Sequence, residues 1–201
     1  MPTISTLLES DYYRIIQTTT PLDASQLNDI QRDKLANLRC ETARHHALLG
    51  FQLKNSIPEE LQKSRYVSLS HSENVAVLAV HRDTSQCIGV DIEALHRPIN
   101  PKLRAKLTPS LEESQCVENL PSLALWSLKE ALWKAWQNNS QGLIKDVTIT
   151  HLEDGSPNKQ IIFQGKGQAP CGKVFHWHLY ELNTLKSDGT LFYLAVAFTH
   201  P

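Results

Sequence analysis

The sequence predicts an α+β fold of two similar halves, each a small antiparallel sheet packed against a long helix. Helical periodicity is followed by short β-rich runs, and this order occurs twice along the 201 residues. Between the two occurrences lies His96-Arg97-Pro98-Ile99-Asn100-Pro101, whose prolines interrupt any regular element. The length suits one compact domain or two small ones, so the expected halves are residues 1–97 and 98–201.

In the first half, Asp23 can cap a helical region reaching Asn55, and Pro58 ends the pattern. Leu27, Ile30, Leu35 and Leu38 suit one amphipathic stripe; Ala43, Ala47, Leu48 and Phe51 suit a second. Strands are expected at YVSLS (66–70), NVAVLAVHR (74–82) and CIGVDIEAL (87–95). The RDTSQ segment between the last two has hairpin length.

Beyond the joint, residues 102–107 and 110–120 read as helices, with Ser110 and Glu113 forming a capping box. A helix carrying WSLKEALWKAW, Trp126 to Trp136, follows. The strands DVTITHL, KQIIFQG, VFHWHLYEL and LFYLAVAFTH complete the half, with Asp-Gly turns at 154–155 and 188–189.

Hydrophobic residues make up 41% and charged residues 20%, as in an ordinary globular protein. The formal net charge is −1 and both halves are near neutral, so no basic field is available to attract nucleic acid. No apolar run is long enough to span a bilayer, and MPTISTLLESDYYR lacks the basic-then-apolar pattern of a secretory signal. Cys40, Cys87, Cys116 and Cys171 form no CxxC pair, so reduced, mostly buried thiols in a cytoplasmic protein are expected.

In GVDIE, alternation along the strand sets Ile88, Val90 and Ile92 on one face and Gly89, Asp91 and Glu93 on the other. Two carboxylates side by side repel each other; water, a basic neighbour or a hard cation such as Mg²⁺ relieves them. From this segment alone a solvated outer face is the simpler reading, since exposed acids are the norm. The helix that follows adds to it. Leu125, Leu128, Leu132, Ala135 and Trp136 make its core stripe, while Trp126, Glu130 and Lys134 form a second row at spacing four, flanked by Trp133. Glu130 and Lys134 could be a surface pair, but the two rings fit a sheltered cleft wall better. Glu130 then joins Asp91 and Glu93, with Lys129 and Lys134 able to hold phosphate. Carboxylates, a divalent cation and lysines are the parts of a phosphoryl-transfer site.

IGVDIE followed by WSLKEALWKA resembles the paired pattern (I/V)G(I/V)D-x-E and (F/W)(S/C/T)xKE(A/S)xxK of the 4′-phosphopantetheinyl transferase superfamily. SLSHS, with Ser70, His71 and Ser72, resembles the SHS element of its surfactin-type branch, and ARHHALLG resembles that branch's N-terminal helix. The resemblance spans about Arg32 to Lys134. A GKP element common in the family is absent; Lys63 or Arg65 would have to substitute for its lysine.

The resemblance implies a pseudodimer with its site in the cleft between the halves. It implies Mg²⁺-dependent transfer of the phosphopantetheine arm of coenzyme A to a serine of an apo acyl or peptidyl carrier protein, releasing adenosine 3′,5′-bisphosphate. Asp91, Glu93 and Glu130 would ligate Mg²⁺. Glu130, or a water held by the acids, would take the serine proton. Lys134 would contact the phosphate nearest the attack, and His71 would hydrogen-bond a phosphate, supported by Ser70. Lys129 would serve structure or the pyrophosphate. Arg32, Lys34 and Arg44 would reach the 3′-phosphate or adenine end. A chain that encloses its own cleft needs no partner subunit, so a monomer is expected, without nucleic acid or membrane. His176 and His178 read as ordinary strand residues and His45-His46 as helix surface. The rival readings are a non-catalytic coenzyme A or carrier-binding module, which the intact acids argue against, and a Mg²⁺-dependent coenzyme A pyrophosphohydrolase.

Overall fold

The computed structural model describes residues 4–62, 64–136, 142–156, 160–183 and 188–200. Its first elements are strands, β1 (Ile4–Glu9) and β2 (Tyr13–Thr18), which corrects the expected helix-first order. The turn between them is set by Ser10, whose Oγ accepts from the N–H groups of Tyr12 and Tyr13. The helical region then divides into α1 (Asp29–Ala36) and α2 (Glu41–Lys54). Asp23 caps only a 3₁₀ turn, whereas Asn28 and Gln31 form the capping box of α1. Ile30 is 68% exposed, so the first stripe is no core face.

Strands β3 (Val67–Ser72) and β4 (Val75–His81) form a hairpin, and the first sheet runs β1-β2-β4-β3, all antiparallel. The next strand, β5 (Ile88–Ala94), does not pair with β4, whose edges β2 and β3 already occupy. RDTSQ is therefore a crossing between sheets rather than a hairpin turn. The crossing also takes β5, which precedes Arg97, into the second sheet.

Three helices follow: α3 (Leu103–Leu107), α4 (Leu111–Cys116) and α5 (Ser122–Trp136). Ser110 caps α4 through the Glu113 N–H, but the Glu113 side chain turns inward to α5 instead of closing the box. Strands β6 (Thr148–Asp154), β7 (Ile161–Gln168), β8 (Val174–Leu182) and β9 (Phe192–Phe198) complete an antiparallel sheet in the order β5-β9-β8-β7-β6. The first residue of KQIIFQG, Lys159, lies outside the described residues. Gly189 adopts φ +77°, as its turn demands.

Four layers result. Tyr13, Ile15, Val75 and Val77 of the first sheet meet Val90, Ile92, Leu194 and Val196 of the second. Leu49 and Leu53 of α2 cover the far face of the first sheet against Ala76 and Leu78. Leu125, Leu128 and Leu132 of α5 cover the far face of the second against Phe175, Trp177 and Ala195. Among the described residues no helix is long and apolar enough to cross a membrane. The thiols are free, but only Cys87 is buried; Cys40 and Cys171 are exposed because they lie at a helix start and in a surface turn.

Candidate active site

The sheets meet at a seam between β3 and β5. Ser68, Ser70 and Ser72 alternate along β3, and their Oγ atoms accept from the N–H groups of Val90, Ile92 and Ala94 at 3.0, 3.4 and 3.1 Å. The edge of β5 that no described strand pairs with is thus satisfied by serine side chains, after the Ile88 N–H donates to the Arg65 carbonyl at 3.1 Å. On the other flank α5 lies against β5. A Cβ on Gly89 would fall 2.0 Å from the Ala131 carbonyl oxygen, so this glycine admits the helix backbone. Helix and strand run in opposite senses, which sets Trp126 beside Glu93 and Lys134 beside Asp91.

Asp91 and Glu93 are 2% and 5% exposed, which overturns the solvated-face reading. Glu130 of α5 joins them: the three carboxylates each offer an oxygen within 4.8 Å of the others. Lys134 Nζ sits at the hub, 2.9 Å from Asp91 Oδ1 and 3.1 Å from Glu130 Oε1. It also donates to Ser70 Oγ at 3.2 Å and to the Val90 carbonyl at 3.1 Å. Glu93 Oε1 accepts from Trp126 Nε1 at 3.0 Å and from Arg97 Nη1. Glu130 and Lys134 are therefore paired, but inside the cleft rather than on a wet surface.

Burial pushes the Asp91 carboxyl up to about 7; Lys134 pulls it down, while Glu130 and Glu93 push it up. Burial alone would lower Lys134, but Asp91 and Glu130 outweigh it and hold the ammonium above its ordinary range. Asp91 Oδ1 accepts from Ser70 Oγ at 2.8 Å, while Oδ2 is buried and has no hydrogen-bond partner. An orphaned buried carboxylate oxygen within an all-oxygen set of three acids fits a hard divalent cation, which would take up that lone pair and offset the repulsion.

His71 ends β3 beside this cleft. Its ring stacks on His46 of α2 with centroids 4.1 Å apart, and His46 Nε2 meets the Glu73 carbonyl at 2.6 Å. His46 is thus no surface residue, contrary to expectation. A cavity of about 360 Å³ opens here, walled by Leu38, Ala43, Ala47, Phe51 and Leu69, with His46, His71 and Lys54 as its polar groups. Burial, and then the charge of Lys34, lower Lys54.

The remaining expected residues stand apart from the acids. Lys129 is fully buried on another face of α5, paired with Glu113 Oε1 at 2.6 Å and donating to the Val147 carbonyl. Of its two expected roles, structure or pyrophosphate, these buried partners fit the structural one. Arg32 is tied to Asp29 and the Leu27 carbonyl, and Arg44 to the Leu38 carbonyl. Arg65 lies just before β3, at the end remote from His71, about 20 Å along the strand. Lys63 lies outside the described residues. Sequence reasoning missed His46 and Lys54; their spacing with Gly50 at 46, 50 and 54 on one face of α2 was the available signal.

Residues 87–195, more than half of the chain, match the family model of the 4′-phosphopantetheinyl transferase superfamily. No curated protein matches the chain.

Proposed function

The chain belongs to the 4′-phosphopantetheinyl transferase superfamily, and from that premise we propose that it moves the phosphopantetheine arm of coenzyme A to a serine of an apo acyl or peptidyl carrier protein. The observation that carries this reading is the triad of buried Asp91 and Glu93 with half-buried Glu130, in which Lys134 pairs with Asp91 and Glu130 and one Asp91 oxygen is left without a partner.

The three acids would hold Mg²⁺, which when bound supplies charge neutralisation on the pyrophosphate oxygens. Glu130 is the base. Its side chain is 23% exposed against 3% for Asp91, so it is the acid that an incoming hydroxyl can reach. The serine Oγ forms a bond to the phosphorus of the arm as its proton passes to the Glu130 carboxylate. The phosphoanhydride bond breaks and adenosine 3′,5′-bisphosphate leaves. Lys134 steadies the attacked phosphate from the hub of the acids. His71 donates to a phosphate at the mouth of the adjoining cavity, with Ser70 holding Asp91 behind it.

The apolar cavity beside His71 suits the adenosine end, with Lys54 in its wall taking the 3′-phosphate in place of the missing GKP lysine, and Lys34 adding its charge. Arg32 and Arg44 serve there only if they release their present partners. The two sheets, each with its helix, act as a pseudodimer with the cleft at their seam; because β5 belongs to the second sheet, the division falls ahead of Ile88 rather than at Arg97, and a monomer is sufficient.

Chromatography of the nucleotide products tests this reading. Adenosine 3′,5′-bisphosphate should appear only when apo carrier, coenzyme A and Mg²⁺ are all present. Release without carrier would instead favour the pyrophosphohydrolase.

A further inference from the structure

The row Trp126, Glu130, Lys134 on α5 meets the strand acids one by one. Lys134 donates to Asp91, Glu130 contributes its own carboxylate, and Trp126 donates to Glu93. We propose that Trp126 is a positioning residue for Glu93: its indole N–H fixes Oε1 and thereby leaves Oε2 for a divalent cation. This rests on the metal reading of the acids given above.

Glu93 receives two donors on the same oxygen, Trp126 Nε1 at 3.0 Å and Arg97 Nη1. They differ in kind. Arg97 is 51% exposed and lies in the joint, so water and salt weaken its hold. Its positive charge also competes with any cation for Glu93. The indole is neutral, is anchored in the core through α5, and donates one directed hydrogen bond without lowering the negative charge that a cation needs. A carboxylate otherwise free to rotate is held in one orientation, as hydrogen bonds from neighbouring donors orient metal ligands. The tryptophan is therefore required for its N–H as well as for its ring.

The test is a Mn²⁺ titration followed by electron paramagnetic resonance on the full chain, without coenzyme A or carrier. Trp126→Phe keeps a ring and removes the N–H. It should weaken Mn²⁺ binding about tenfold, while the melting temperature without metal stays close to that of the parent. Replacing Trp126 with β-(3-benzothienyl)alanine, which preserves the bicyclic shape and lacks the donor, should give the same loss even if the Phe variant folds poorly. Trp133→Phe removes a neighbouring indole that donates to the Gly142 carbonyl instead, and should leave Mn²⁺ affinity unchanged. Equal Mn²⁺ affinity in the parent and the benzothienyl variant would overturn the positioning role and leave the metal site standing. A parent that binds no Mn²⁺ would overturn the metal reading and this role together.

Discussion

Lys134 is where strand and helix chemistry converge, and its partners decide what its loss should do. It counters two carboxylates, one of them almost wholly buried, and touches the serine that ties β3 to β5. Lys134→Met should therefore lower transfer about 100-fold and destabilise the fold, because Asp91 is left buried without its cation. Glu130→Gln should behave differently. The side chain is partly exposed and stays hydrogen-bonding, so transfer should vanish while the urea midpoint hardly moves. A Glu130→Gln variant that transfers at the parent rate would remove the base assignment. The acids and Lys134 were legible in the sequence because period two along β5 and spacing four along α5 place them without knowledge of the rest. Burial was not legible, since GVDIE reads equally well as a wet face until α5 and the serine seam close over it. Nor was the separate fate of Lys129: one residue from Glu130 is 100° around the helix, enough to face Glu113 rather than the cleft.

At the scale of elements, the seam and the helix contact make two separable demands. Ser68 and Ser70 both satisfy β5 N–H groups, but only Ser70 also donates to Asp91. Ser68→Ala should cost about 1–3 kcal/mol of stability with transfer retained; Ser70→Ala should cost a similar amount and impair transfer as well. Equal transfer by the two variants would confine Ser70 to the seam. Lys129 and Glu113 supply a third comparison. Lys129→Met alone strands a buried carboxylate and should destabilise by about 3–5 kcal/mol. Adding Glu113→Gln, which still accepts from the Ile149 N–H, should recover most of that and keep transfer intact. Loss of transfer in a stable double variant would return Lys129 to the chemistry. Strands with strong β character were read correctly, and the hairpin β1–β2 was missed because its period-two signal is confined to Tyr13 and Ile15. The expected helical region starts late because Asn28 and not Asp23 caps α1, and it divides at residues 37–40, between the C-cap Asn37 and the N-cap Cys40.

Across the whole molecule, two sheets share one interior and a helix closes each outer face, so anything that loosens the sheet-to-sheet packing reaches the seam and the cleft. His81 sits in this joint: its Nδ1 accepts from the Asp83 N–H, and its Nε2 meets the Thr199 carbonyl beyond β9. Burial lowers its proton affinity, against the opposing pull of the Thr199 and Asp83 carbonyls and of the Asp83 charge. His176, on β8, is lowered by burial, His200 and Lys166. A lowered folded-state value means that the unfolded chain binds the proton more readily. The stability these groups contribute is thus full above about pH 6.5 and is lost as pH falls below it. The melting temperature should decline between pH 7 and pH 5.5, and His81→Gln should flatten that decline. The assignment of β5 to the second sheet was hidden from the sequence, because strand order is set by which edges remain open rather than by proximity in the chain.

The central claim is that the triad serves group transfer to a carrier protein. Its most direct test is intact-protein mass spectrometry of apo carrier proteins of several classes mixed with this protein and coenzyme A, with Mg²⁺ or with EDTA. The account predicts that a carrier gains the mass of one phosphopantetheine group with Mg²⁺ and none with EDTA. Carriers of every class left unmodified, while coenzyme A stays bound or is cleaved in solution, would contradict it.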